Sequence, residues 1–188
     1  MITVFDTSAI VAANTLTHEQ FGWVGEQLTR AERLALRAHS FAECYAIITA
    51  SPQIRLPPAQ AVRLLSSIEQ TWTVLPLTPS HDLRAAERCR DLALPSGAIY
   101  DTLLAEAALG AGATALVTPH PRHFRRLGAD VERLVAPPLK ERGTGSPVSP
   151  RPRPLTAQGS VCGRWQGASR PACIGWLMVS NGFSVGRT

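Results

Sequence analysis

Ile2-Thr3-Val4-Phe5-Asp6-Thr7-Ser8-Ala9-Ile10 is the run whose reading decides the fold. Ile2–Phe5 is short, apolar and β-favouring, which is the signature of a buried strand. It stops on a carboxylate that still has Ala9-Ile10 beyond it, so Asp6 lies inside an apolar setting. Read outward from there, strand-like and helix-like segments alternate as far as residue 138. Helical sequence runs from about His18 to Arg33, with Thr17 and Gln20 at capping-box spacing. Leu34–Leu36 is a second short strand. Phe41–Thr49 and Pro57–Gln70 are helices, and Trp72–Leu77 is a strand. His81–Leu92 and Ala98–Leu109 are helices parted by Pro95-Ser96-Gly97, and Gly110 and Gly112 end the second of them. Ala115–Thr118 is a strand, Arg122–Leu127 a short helix, and Val131–Val135 a last strand. Strands alternating with helices imply parallel pairing and right-handed crossovers. The expectation is therefore a three-layer α/β/α domain with a central, mostly parallel sheet. Its ligand crevice would lie beyond the carboxyl ends of the strands, where Asp6 and Thr118 fall.

Composition divides the chain. Residues 1–138 hold twelve arginines and no lysine against thirteen acids, a net of −1. Residues 139–188 hold seven basic residues against Glu141, a net of +6, together with eight of the fourteen glycines and Pro147, Pro150, Pro152 and Pro154. The basic character belongs to the second part and says nothing about nucleic-acid binding by the first. Residues 1–138 are accordingly read as the folded domain, and residues 139–188 as a Pro/Gly/Ser/Arg-rich tail expected to be disordered. No run approaches the ~18–20 apolar residues of a membrane span. The opening run lacks a positively charged start, which argues against a secretory signal and points to the cytoplasm. Four cysteines, Cys44, Cys89, Cys162 and Cys173, form no Cys-x-x-Cys pair and are read as reduced thiols. Trp72 and Phe124 are assigned to the core, and Glu106 to the polar surface of its helix.

Three acids stand in apolar sequence: Asp6, Glu43 within Phe41-Ala42-Glu43-Cys44-Tyr45-Ala46-Ile47-Ile48, and Asp101 within Ala98-Ile99-Tyr100-Asp101-Thr102-Leu103-Leu104. Carboxylates are rarely buried unless paired or metal-bound. Each has a plain structural alternative. Asp6 could cap the turn after the first strand, Glu43 stands at capping-box spacing from Ser40, and Asp101 could serve the dipole at its helix start. If the three instead converge at one end of the sheet, their mutual repulsion calls for a hard divalent cation.

Four strings carry a resemblance. Val4-Phe5-Asp6-Thr7-Ser8-Ala9 resembles the opening motif of PIN domains, and Ser40-Phe41-Ala42-Glu43 the helix start bearing that family's second acid. Tyr100-Asp101-Thr102-Leu103-Leu104-Ala105-Glu106-Ala107-Ala108 is similar to the helix bearing the third. Leu116-Val117-Thr118-Pro119-His120-Pro121-Arg122-His123-Phe124 is similar to the last motif. Their order and spacing match over most of residues 1–138, and the subgroup resembled is the VapC-type toxins. The resemblance implies a Mg²⁺-dependent endoribonuclease, the toxin of a type II toxin–antitoxin system, with Mn²⁺ as an alternative ion. It implies metal ligation by Asp6 and Asp101, with Glu43 ligating directly or through water. Ser8 and Thr118 would orient water or substrate. The implied partners are an RNA substrate, a VapB-type antitoxin and a second copy of the chain.

Two positions depart from the pattern. The family usually has Asp or Asn two residues after the Thr, and often Asp three residues further on. Here those positions hold His120 and His123. A histidine in place of an acid removes negative charge and suits softer metals than Mg²⁺. Arg122, Arg125 and Arg126 could meet RNA phosphates beside the crevice. Two other readings stand beside the nuclease. One is a catalytically impaired module that binds antitoxin or RNA without cleaving it. The other is a phosphohydrolase with Asp6 as nucleophile, which would require Asp-x-Asp where this chain has Asp6-Thr7-Ser8.

Overall fold

The structure is a computed structural model that describes residues 1–136. The tail expected over residues 139–188 lies outside the described residues. The elements, in chain order, are β1 (Ile2–Phe5), α1 (Thr7–Ala13), α2 (Phe21–Arg30), β2 (Arg33–Arg37), α3 (Ser40–Ala50), α4 (Pro58–Thr71), β3 (Thr73–Leu75), α5 (Pro79–Asp91), α6 (Ala98–Gly110), β4 (Ala115–Val117), α7 (Pro121–Arg125) and α8 (Ala129–Glu132). The four strands pair in the order β3-β2-β1-β4, and all pairs are parallel.

Alternation along each strand sends side chains to two faces. Phe5, Leu34, Leu36 and Val117 join one apolar cluster with Ile10 of α1, Trp23 and Val24 of α2, Ile48 of α3 and Ile68 of α4. Val4, Ala35, Leu75 and Leu116 join the other, with Leu104, Ala105 and Ala108 of α6, Phe124 and Val131. Helices thus cover both faces, as parallel crossovers require, and α5 packs on α6. Trp72 and Phe124 are buried, and Trp72 tilts against Phe5 at 5.1 Å between ring centroids.

The strand order places the site. From β1 the chain moves outward through β2 to β3, then returns to add β4 on the other side of β1. In parallel α/β sheets the ligand crevice lies where the direction of winding changes, which in this strand order falls beyond the carboxyl ends of β1 and β4. The backbone N–H of Asp6 donates to Val117 O at 3.0 Å, which fixes the start of α1 against the end of β4.

Three local expectations differ from the structure. The residues after Asp6 form α1, not merely a turn. The Thr17–Gln20 capping box does not form: α2 starts at Phe21, and the Gln20 N–H donates to His18 Nδ1 at 3.1 Å. The strand expected over Val131–Val135 is instead α8, followed by a single bridge from Val135 to Leu116. The cause lies just upstream. Gly128 turns the chain at φ 122°, a conformation open mainly to glycine. The Gly128 carbonyl then accepts the N–H groups of Val131 and Glu132 at 3.1 and 2.9 Å and closes a helical turn. Among the described residues, no helix is long and apolar enough to cross a membrane.

Candidate active site at the carboxyl ends of β1 and β4

The Asp6 backbone begins α1, its carbonyl accepting the N–H groups of Ala9 and Ile10 at 3.0 and 3.1 Å. Its side chain makes no capping bond, so the carboxylate is left for other partners. The Ser8 hydroxyl donates to Oδ2, and the buried Thr118 hydroxyl donates to the same oxygen at 3.0 Å. Thr118 Oγ1 in turn accepts the His120 N–H at 3.0 Å, linking Asp6 to the loop before α7. Both Ser8 and Thr118 therefore act on Oδ2, and among the described residues no hydrogen bond reaches Oδ1.

Glu43 does not serve as a helix cap. The α3 terminus has no side-chain cap, and the Ser40 hydroxyl is buried without a partner. Instead Glu43 Oε2 accepts from the Thr7 hydroxyl, and Oε1 accepts from Arg37 Nη2 at 2.6 Å. His39 Nε2 stands 3.8 Å from the same oxygen. Arg37, at the end of β2, is only 2% exposed and also donates from Nη1 to the Tyr100 carbonyl at 2.9 Å.

Asp101 sits in the first turn of α6 with its side chain 25% exposed. Burial, and next the charge of Asp6, push its carboxyl above the usual carboxylate range; His123, Arg126 and Arg37 pull it partly back. His123 Nδ1 and Arg126 Nη2 stand 3.6 and 3.8 Å from Oδ2, too far for good hydrogen bonds. The rings of His120 and His123 stack at 5.5 Å. Cys44 is forced the other way from reactivity. Burial, with Glu43 and Asp6 adding to it, pushes its thiol up to about 12, so it stays protonated at neutral pH.

The three sequence-flagged acids thus come from β1–α1, α3 and α6 to the same end of the sheet. Asp6 and Asp101 feel one another, and Cys44 feels both Asp6 and Glu43. Among the described residues, no group of three or more His, Cys, Asp and Glu side chains is arranged to hold a metal ion as it stands. Glu43 is the reason the set is not a simple triad, since both of its oxygens are engaged by Arg37 and Thr7. The oxygen donors that remain, on Asp6 and Asp101, suit a hard divalent cation. The unfavourable charge at Asp101 is what such an ion would relieve.

Glu106 is not surface. It is 6% exposed and accepts from Arg88 Nε at 2.7 Å and Arg84 Nε at 3.2 Å. Sequence reasoning also missed Thr7 and Arg37. Arg37 could have been found by the criterion that flagged the acids: a charge ending an apolar run, Leu34-Ala35-Leu36.

A parallel α/β sheet with carboxylates from three separate elements beside its switch point defines the class, an acid-centred α/β domain. The chain belongs to the PIN-domain family, whose family model matches residues 3–129; such domains are generally nucleases. Among solved structures it is similar to VapBC2 from Rickettsia felis, determined bound to a DNA fragment from their promoter. That match has 19% identity and a TM-score of 0.53, and covers 72% of this chain and 98% of the other. It is similar to VapBC-1 from nontypeable Haemophilus influenzae at 21% identity and a TM-score of 0.52, covering 68% and 92%. It is also similar to VapC20 from Mycobacterium tuberculosis, a sarcin-ricin loop cleaving toxin, at 15% identity and a TM-score of 0.50, covering 62% and 87%. At these identities the likeness is one of fold. No curated protein matches the chain.

Proposed function

We propose that the protein is a metal-dependent endoribonuclease, the toxin of a type II toxin–antitoxin pair. One observation carries this reading: Asp6 and Asp101, ninety-five residues apart, are drawn to one place by the chain of bonds from Thr7 through Glu43 and Arg37 to the Tyr100 carbonyl, and the charge of Asp6 adds to burial in raising the Asp101 carboxyl. Mg²⁺, or Mn²⁺ in its place, would be held by Asp6 and Asp101, with Glu43 joining through water because its oxygens are already bonded. The ion would supply charge to stabilise the developing phosphate oxyanion and would acidify the attacking water.

The chain's own groups do the rest. Ser8 and Thr118 hold Asp6 Oδ2 and thereby present Oδ1. Glu43 is fixed by Thr7 and Arg37 where it can accept a proton or position water. Arg122, Arg125 and Arg126 are exposed on and just after α7, with Arg126 3.8 Å from Asp101, and RNA phosphates would meet them there. With its thiol held protonated, Cys44 is no nucleophile. The solved VapBC structures support a VapB-type antitoxin as partner. A homodimer, a cytoplasmic location and a dispensable 139–188 tail complete the proposal.

The test is cleavage of a mixed RNA pool by the full chain with Mg²⁺, with EDTA, and with Asp6→Asn. Cleavage that needs both the metal and Asp6 supports the reading. Its absence in the wild type, with antitoxin binding intact, supports the non-catalytic module that His120 motivates.

A further inference from the structure

The mouth holds a cation of its own. Arg37 is almost wholly enclosed, yet its Nε is buried without a hydrogen-bond partner among the described residues. A buried arginine with an orphaned donor is a poor device for stability alone, because an apolar side chain of similar length would avoid both the desolvation and the unmet N–H. Its two remaining nitrogens explain the choice. Nη2 binds Glu43 Oε1 at 2.6 Å, and Nη1 binds the carbonyl of Tyr100, the residue before Asp101, at 2.9 Å. One rigid fork therefore joins α3 to the start of α6, the two helices that carry the second and third acids. The other basic side chains near Asp101 are peripheral: His123 and Arg126 are 55% and 39% exposed.

Resting on the metal-dependent reading above, we propose that Arg37 is a positioning residue that competes with the metal for Glu43. It keeps Glu43 out of direct ligation, where the carboxylate can handle water, and it lowers the affinity of the mouth for divalent cations. With Thr7 on the other oxygen, Glu43 is held by two donors, and a cation would have to displace one of them to reach it.

This makes a prediction whose sign a merely structural role cannot reproduce. Loosening a site by removing a packing residue weakens metal binding. Removing a competing cation strengthens it. The experiment is titration of the full chain with Mn²⁺, without RNA, followed by electron paramagnetic resonance, and cleavage rates at saturating Mn²⁺. Arg37→Met keeps an unbranched stem and deletes the charge. It should bind Mn²⁺ about tenfold more tightly, which corresponds to about 1.4 kcal/mol, while saturated cleavage falls because Glu43 is no longer held. Arg37→Lys keeps the charge but loses the fork. It should bind Mn²⁺ within about twofold of wild type and still cleave more slowly.

Weaker Mn²⁺ binding by Arg37→Met, with cleavage restored by added metal, would overturn the proposal, as would unchanged binding. Should Arg37→Met show no cooperative unfolding, Arg37→Lys decides: saturated cleavage equal to wild type would rule out the positioning role. Failure of the wild type to bind Mn²⁺ at all would strike the metal reading itself, and the Arg37 role with it.

Discussion

Helix α6 carries two acids five residues apart, and they lead opposite lives. Glu106 is buried and bonded by Arg88 and Arg84, while Arg88 also grips Asp130 at 2.8 and 2.9 Å, tying α5, α6 and the start of α8 together. The hydrogen bond from Arg88 holds the Asp130 carboxyl below its usual range. Asp101, one and a half turns earlier, has only longer contacts to the exposed side chains of His123 and Arg126, and burial together with the charge of Asp6 disfavours its charged form. Burial alone would have ranked Glu106 as the more suspect acid. The difference lies in completeness: one cluster satisfies its charges internally, the other leaves the charge of Asp101 only partly compensated.

The comparison is broken most decisively by activity. Asp101→Asn is expected to lower metal-dependent RNA cleavage by about 10²–10³-fold, whereas Glu106→Gln leaves the rate per folded molecule unchanged; initial rates corrected for folded fraction check both. A large loss in Glu106→Gln would place that acid in the chemistry after all. Stability should respond the other way round. Arg88→Ala strips the shared partner from Glu106 and Asp130 and should cost about 3 kcal/mol in urea unfolding, and a change under 1 kcal/mol would show the network to be ornamental. In metal-free protein, Asp101→Asn should instead stabilise by about 0.5–1 kcal/mol at neutral pH. The sign follows from the raised carboxyl. The folded state holds the Asp101 proton more tightly than the unfolded chain, so the penalty is absent below the usual carboxylate value. It grows as pH rises through the elevated folded value and is then constant. Thermal unfolding of the wild type and Asp101→Asn between pH 3 and pH 8 would reveal a pH-independent gap if the raised carboxyl were wrong. Smallest is His120→Asp, expected to tighten Mg²⁺ binding a few-fold and narrow the advantage of Mn²⁺ over Mg²⁺. Identical metal profiles would remove residue 120 from the site.

Much of this was legible in the chain because it was local. Ile2–Phe5 and Ala115–Val117 announce strands by composition, and the parallel order follows from the helices between them. Asp6, Glu43 and Asp101 were conspicuous because carboxylates in apolar runs need a reason to be there. What was not legible depended on partners distant in sequence. Glu106 looks like helix surface until Arg84 and Arg88 arrive from α5, and Arg37 looks like a strand end until Glu43 and Tyr100 close on it. Val131–Val135 has strand composition, but the turn at Gly128 and the bonds to its carbonyl impose a turn of helix first. In each case a tertiary contact or a backbone constraint outweighed local propensity.

The central claim is that Asp6 and Asp101 share one cation. Counting Mn²⁺ ions bound per chain in the wild type, Asp6→Asn, Asp101→Asn and Glu106→Gln tests it most directly. One tight ion is expected in the wild type, the same ion retained in Glu106→Gln, and its loss in both Asp6→Asn and Asp101→Asn. Tight binding that survives either of those two substitutions would contradict a shared site.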